Sequence, residues 1–319
     1  MGRRAAAMFT LVIVALVASP WIVAARATRQ VTTSVATSAS ETRISASAGQ
    51  SLAGPTPIAA VAAPAGRDFS ALVAALQQLV AGSGANVGAT VVELAGTDPL
   101  TWSFDGGAVF TAASTYKLVA LMIEAENIAS GKTDPNGLVC YEPSDYEDGW
   151  FDDYAPGVCF SRNELASRAA KQSDNTAGHM LVRDIGGADA LNTWAASVGT
   201  TSSAFFVDNI TTAADLAVLW AAEANGDLGG AAAQAWLYPL LTGTTTENGV
   251  PAGTPAGSTV VHKTGTIDAV ENDAALVMAG PDGPYVLVVM TDGLGGAAGW
   301  GLIAAMSAAV WQVEASRLQ

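Results

Sequence analysis

Phe69, Leu72, Val73, Leu76, Leu79 and Val80 recur at helical spacing and predict an amphipathic helix, broken by Gly82-Ser83-Gly84. Val87–Leu94 and Leu100–Phe104 read as two strands joined by a Gly-Thr-Asp-Pro turn. From Ser114 to about Leu241 the pattern turns helical and rich in Ala and Leu. Three apolar runs follow, Thr259–Gly265, Ala274–Ala279 and Tyr285–Thr291, and Gly280-Pro281-Asp282-Gly283 between the last two predicts a hairpin. A closing helix is expected over roughly Ala297–Ala315. This order of elements predicts an α/β fold of the α+β type, with one sheet assembled from both ends of the chain and helices inserted between.

Two segments stand outside that pattern. Residues 8–25 are uncharged and follow Arg3 and Arg4, which reads as an export signal or signal anchor over 1–27, with Ala25-Arg26-Ala27 as a candidate cleavage site. Cleavage and membrane attachment through this segment both stay open, and either places the remainder outside the cytoplasm. Residues 28–66 are Ser, Thr, Ala and Pro with few charges and no aromatic ring, a linker too poor in apolar surface to offset its ordering entropy. The folded domain is therefore expected over 67–319.

Charge narrows the partners. The 319-residue chain carries a net charge of −15, and loss of Arg3, Arg4 and Arg26 with residues 1–27 takes it to −18. Such a surface repels phosphate backbones, so nucleic acid is not an expected partner. Cys140 and Cys159 are the only cysteines. In an exported chain they are expected to pair, closing a loop of about 20 residues for ~3 kcal/mol on the chain-entropy account.

Three short polar motifs carry the chemistry. Ser114-Thr115-Tyr116-Lys117 opens a helical run, and Ser173-Asp174-Asn175 and Lys263-Thr264-Gly265 follow in that order. A serine hydroxyl attacks well only when a base takes its proton, and residues i and i+3 share a helix face, so the Lys117 amine can reach Ser114. Taken singly, Ser114 reads as a helix cap, Ser173-Asp174-Asn175 as a helix-start loop and Lys263 as a surface lysine. The three together resemble the active-site serine enzymes of the class A β-lactamase and penicillin-binding protein type.

The resemblance implies a five-stranded antiparallel sheet flanked by helices, and a hydrolase needing no cofactor or metal. Its substrate would be a small-molecule β-lactam or a cell-wall D-alanyl peptide. Ser114 would be the nucleophile, Lys117 its base and Ser173 a proton shuttle. Asn175, Lys263, Thr264, Gly265 and Thr266 would meet the substrate, Gly265 by admitting its backbone closely. The backbone N–H groups of Ser114 and Thr266 would form the oxyanion hole. Asp174 would be structural, and Asn272-Asp273, opening the next strand, also fits the family.

The chain departs from class A β-lactamases in one respect. Val198–Thr212 contains no E-x-x-L-N pattern and no glutamate, and Asp208 is its only acid and so the only local candidate for activating the deacylating water. The alternatives to a β-lactamase are a D-alanyl-D-alanine carboxypeptidase or other cell-wall peptidase, and a penicillin or peptidoglycan sensor that does not turn over.

Tyr141–Pro156 interleaves Asp145, Glu147, Asp148, Asp152 and Asp153 with Tyr146, Trp150, Phe151 and Tyr154. It lacks the EF-hand spacing and is expected to be a solvated acidic loop whose aromatic residues gate the cleft. Of the two histidines, His179 and His262, neither has an evident acidic partner, which disfavours a Ser–His–Asp triad. His262 should alternate to the strand face opposite Lys263.

Overall fold

A computed structural model describes residues 70–96 and 99–316. The export segment 1–27, the linker 28–66, the expected domain start at Arg67, and Thr97 and Asp98 of the first predicted turn lie outside the described residues. In chain order the elements are α1 (Ser70–Ser83), β1 (Asn86–Glu93), β2 (Thr101–Phe104), β3 (Val109–Thr111), α2 (Tyr116–Ala129), β4 (Leu138–Cys140), β5 (Cys159–Ser161), α3 (Arg162–Lys171) and α4 (Asn175–Asp184). Then come α5 (Gly187–Val198), β6 (Ile210–Thr212), α6 (Ala213–Ala224), α7 (Gly230–Leu240), α8 (Val250–Gly253), β7 (Val260–Ile267), β8 (Val270–Gly280), β9 (Gly283–Asp292) and α9 (Gly296–Ser316).

The main sheet is five-stranded in the order β2-β1-β9-β8-β7 and antiparallel throughout. β1, from the start of the domain, pairs with β9, from its end, in unbroken register from Asn86↔Asp292 to Glu93↔Tyr285. The sheet assembled from both chain ends is thus the one the sequence pattern predicts. The strands begin and end within a few residues of expectation. The exception is β8, which starts at Val270, so Asn272 and Asp273 lie inside the strand and do not open it.

Alternation along β9 distributes the core. Tyr285, Leu287 and Val289 pack with Leu72 and Leu76 of α1 and Ile303, Met306 and Val310 of α9. Val286, Val288 and Met290 face the inserted helices and pack with Leu118, Leu121 and Met122 of α2 and Leu216 and Trp220 of α6. Period-2 alternation therefore serves two apolar layers, and each fully buried aliphatic side chain contributes roughly 1.5–3 kcal/mol. On β7 the same alternation sends Val261 to the helical side and Val260 to the α1/α9 side. Lys263 and His262 follow these two neighbours onto opposite faces.

Cys140 and Cys159 form a disulfide across the directly paired ends of β4 and β5. It closes the base of the 141–158 loop, as expected. The acids of that loop are less solvated than expected. Asp145 is buried and bound by Arg183 at 2.8 Å, and Asp153 receives both Arg168 terminal nitrogens at 2.6 and 2.7 Å. Both arginines sit on helices that follow the loop in sequence, so the loop pattern alone could not show the pairing.

Candidate active site

The site forms where three turns meet. Ser114 belongs to a short 3-10 turn, Ala113–Thr115, that leads into α2. Ala113 has φ +47°, a left-handed conformation that costs a β-carbon residue of order 1 kcal/mol and persists only where its surroundings fix it. Four bonds fix this one. The Ala112 N–H donates to the Asn209 carbonyl at 2.7 Å, and Asn209 Nδ2 donates to the Ala113 carbonyl at 3.1 Å. Asn272 Nδ2 donates to the Thr111 and Ala112 carbonyls at 2.9 and 3.3 Å. Thr115, not Ser114, precedes α2, and no side chain caps it, so the Ser114 hydroxyl serves no helix cap.

Lys117, the second residue of α2, is fully buried, and its amine is surrounded by oxygen. Nζ lies 2.9 Å from Ser114 Oγ, 2.6 Å from the Ser173 carbonyl and 2.7 Å from Asn175 Oδ1. Burial lowers its pKa to about 8, against smaller opposing effects of Glu147 and Asp174. A neutral lysine has two N–H donors and one lone pair. The Ser173 carbonyl and Asn175 Oδ1 can only accept, so they take the two donors and leave the lone pair for the Ser114 O–H.

Ser173 sits at φ +59° between α3 and α4. Its Oγ is 2.9 Å from Lys263 Nζ and 3.4 Å from Lys117 Nζ, which places one hydroxyl between two buried amines. Burial, followed by the neighbouring Lys117 charge, presses Lys263 well below the ordinary lysine range. Asp174 holds the corner. It caps α4 by accepting the Ala177 N–H at 2.8 Å, and it also accepts the Trp150 N–H at 2.9 Å and the Tyr154 O–H at 2.6 Å.

Gly265 on the edge strand β7 passes directly beside the nucleophile turn. A Cβ there would stand 2.7 Å from the Ala112 carbonyl and 3.1 Å from the Ser114 nitrogen. The close approach that requires glycine is thus made by the protein's own backbone, where the sequence suggested a substrate. Thr264 is buried, and its carbonyl accepts from Lys263 Nζ at 2.8 Å. The Thr266 hydroxyl donates to Glu271 at 2.6 Å, leaving its backbone N–H as the group to consider at the oxyanion position.

The structure therefore gathers Ser114, Lys117, Ser173, Asn175 and Lys263 into one hydrogen-bonded cluster, with Thr264 and Gly265 alongside. Asp208 stays apart. Its side chain is exposed and makes no hydrogen bond or ion pair among the described residues, while its neighbour Asn209 holds the Ser114 turn.

Both histidines prove to have acidic partners, contrary to the sequence reading. His262 is bonded to Asp273 at 2.9 Å and Glu247 at 3.1 Å, and His179 to Glu147 at 2.7 Å. These partners are 11 to 32 positions away in the chain and were brought near only by folding. Neither imidazole bonds to Ser114 among the described residues.

Gly178 lies outside all three motifs and packs against the lysine. A Cβ at this position of α4 would lie 2.7 Å from Lys117 Cε and 2.9 Å from the Tyr116 hydroxyl. Its one sequence signal is a glycine inside a helical pattern.

Comparison with known proteins agrees with this geometry. PBP-A superposes with a TM-score of 0.72 at 26% identity, over 79% of this chain and 98% of that one. A beta-lactamase from Sphaerobacter thermophilus gives 0.69 at 24% identity, over 78% and 98%. An ancestral class A beta-lactamase gives 0.66 at 24% identity, over 76% and 99%. A substituted form of PBP-A, 24% identical with a TM-score of 0.72 over 77% of this chain and 96% of that one, has been solved as an acyl-enzyme complex with penicillin G. The sequence profile described as the Beta-lactamase enzyme family matches residues 71–313, three quarters of the sequence, and with the fold and the serine–lysine cluster in place the chain belongs to that family.

Proposed function

We propose that the protein is an exported active-site serine hydrolase, acylated at Ser114 by β-lactams or related amides and slow to release the acyl group. The observation that carries this reading is the Lys117 amine, 2.9 Å from Ser114 Oγ and lowered to a pKa of about 8 by burial. As Ser114 Oγ attacks the amide carbonyl, the Lys117 lone pair takes its proton. The backbone N–H groups of Ser114 and Thr266 stabilise the oxyanion. The proton then passes from Lys117 through the Ser173 hydroxyl to the leaving nitrogen, whose departure yields the Ser114 ester.

Lys263 suits a substrate carboxylate. An arriving carboxylate offsets the burial and the Lys117 repulsion that depress it, so the ammonium forms where the substrate needs it. Asn175 holds Lys117 through Oδ1 and the Asp148 carbonyl through Nδ2, so contact with a substrate amide requires an exchange of one of these bonds.

Slow release follows from the 199–212 segment, which presents Asn209 to the nucleophile turn and leaves Asp208 exposed. This favours, as a second reading, a cell-wall D-alanyl peptidase or a penicillin sensor. The likeness to PBP-A, the highest TM-score among the structures compared above, supports it. The disulfide and the apolar segment 8–25 support an extracytoplasmic location, secreted or anchored to the outer face of the cell membrane.

Intact-mass spectrometry of the full-length protein with a penicillin, beside Ser114→Ala, tests the reading. A persistent adduct on the unsubstituted protein alone is expected. An adduct that decays as penicillin is consumed would replace slow release with efficient turnover. Absence of any adduct would overturn acylation.

A further inference from the structure

Beside the Ser173–Asn175 corner, the 141–158 loop folds around a hollow of about 410 Å³ lined by Tyr146, Asp148, Trp150, Phe151, Asp152 and Tyr154. Tyr146 and Trp150 are 62% and 67% exposed, an unusual placement for two large aromatic side chains so close together. The loop that presents them is held firmly. The Cys140–Cys159 disulfide closes its base, and the Trp150 backbone N–H and the Tyr154 hydroxyl both donate to the Asp174 carboxylate. Asn175 Nδ2 donates to the Asp148 carbonyl at 2.8 Å, and Thr176 Oγ1 donates to the Glu147 carbonyl at 2.8 Å. The backbone that carries the two rings is therefore held next to the serine–lysine cluster.

The acids of the loop fall into two groups. Asp153 is paired with Arg168, Asp145 and Glu142 with Arg183, and Glu147 with His179. Asp148 and Asp152 are exposed, and their carboxylates have no hydrogen bond or ion pair among the described residues. The cation at the back of the hollow, Arg168, lies 4.2 Å from the Phe151 ring and is matched by Asp153 and Glu164. The hollow thus combines open π faces with two uncompensated carboxylates. A neutral sugar ring could stack on the aromatic faces and donate its hydroxyls to the carboxylates, but only an ammonium also offsets their charge.

Resting on the acylation reading above, we infer that this hollow is a subsite for a primary ammonium on the acyl side chain of the substrate. The ammonium sits between the Tyr146 and Trp150 rings and the Asp148 and Asp152 carboxylates.

Three penicillins that differ only at the carbon next to the side-chain carbonyl, bearing an ammonium, a hydrogen or a carboxylate there, test this. Their affinities for full-length Ser114→Ala are measured by calorimetry, and adduct formation on the unsubstituted protein is followed by mass. The ammonium compound is expected to bind about tenfold more tightly than the hydrogen compound, and the carboxylate compound more weakly than either. The tenfold ratio should fall to about one when D148N and D152N are added, and in about 1 M salt. Equal affinities for the three compounds, a ratio that survives the two added substitutions, or no binding of any compound would overturn the subsite. Binding blind to charge but lost in Trp150→Ala would also overturn it, in favour of a neutral ring. A charge ranking without adducts would leave the subsite standing and overturn acylation instead.

Discussion

Gly178 lies directly against the Lys117 side chain, so close that a single added methyl would stand 2.7 Å from Lys117 Cε. Lys117 cannot simply swing away, because its amine is bonded to Ser114, Ser173 and Asn175. Gly178→Ala is therefore expected to displace the amine by a few tenths of an ångström to about 1 Å, slowing Ser114 acylation by up to about a hundredfold. The overpacking cost, ~1–3 kcal/mol, is partly offset by the ~1 kcal/mol advantage of alanine over glycine in a helix. Thermal unfolding should thus move little while acylation, followed by intact mass, falls steeply. Unchanged acylation would show that the lysine position is not set by this contact.

If Lys117 takes the Ser114 proton, acylation depends on its neutral form. With a pKa of about 8, the neutral fraction rises about tenfold per pH unit below that value and levels off above it. The second-order acylation rate is expected to follow, climbing from pH 6 to 8 and flattening beyond. Stopped-flow measurement with one penicillin across this range checks it. A flat profile would remove Lys117 as the base.

The fold and the cluster were legible for different reasons. Strand alternation and the Gly280–Gly283 turn are local signals, and they located the turn between β8 and β9 almost to the residue, though not the start of β8. Ser114, Lys117, Ser173 and Lys263 were legible because their motifs are compact and ordered along the chain. What the sequence hid were relations between distant segments. Asn209 bracing Ala113, Asp174 receiving Trp150 and Tyr154, and His262 meeting Asp273 and Glu247 depend on three-dimensional approach, and no spacing rule encodes them. The tertiary setting also changed the meaning of Gly265, whose missing side chain makes room for the nucleophile turn.

Glu223 on α6 is fully buried, and neither carboxylate oxygen has a hydrogen-bond partner among the described residues. Burial, with Glu126 adding to it, raises its pKa to about 7. A raised carboxyl pKa means the unfolded chain ionises first, so Glu223 costs stability progressively from about pH 4.5 to 7. Glu223→Gln is expected to stabilise the protein by about 1–2 kcal/mol at pH 8, with the gain vanishing near pH 4. Urea unfolding at the two pH values checks this. Equal stabilities at pH 8 would mean that the carboxylate is solvated by ordered water.

His262 behaves with the opposite sign. Burial disfavours its charge, but the Asp273 and Glu247 carboxylates outweigh burial and raise its pKa to about 9. The charged ring joins β7 and β8 to the 244–250 loop, on the face of β7 opposite Lys263. Since the folded pKa exceeds the unfolded value, this stabilisation is fully present below about pH 6.5 and is lost as pH rises through about 9. Other groups titrate in the same window, Lys117 among them, so the informative quantity is the stability difference between the unsubstituted protein and His262→Gln. That difference is expected to be largest at pH 6 and to shrink by about 2 kcal/mol at pH 9.5. A difference constant across the range would mean that the ring acts through packing alone. Acylation should weaken only where the β7 edge itself loosens, because Lys263 draws its contacts from the Ser173 hydroxyl and the Thr264 backbone carbonyl, neither of which His262 bonds.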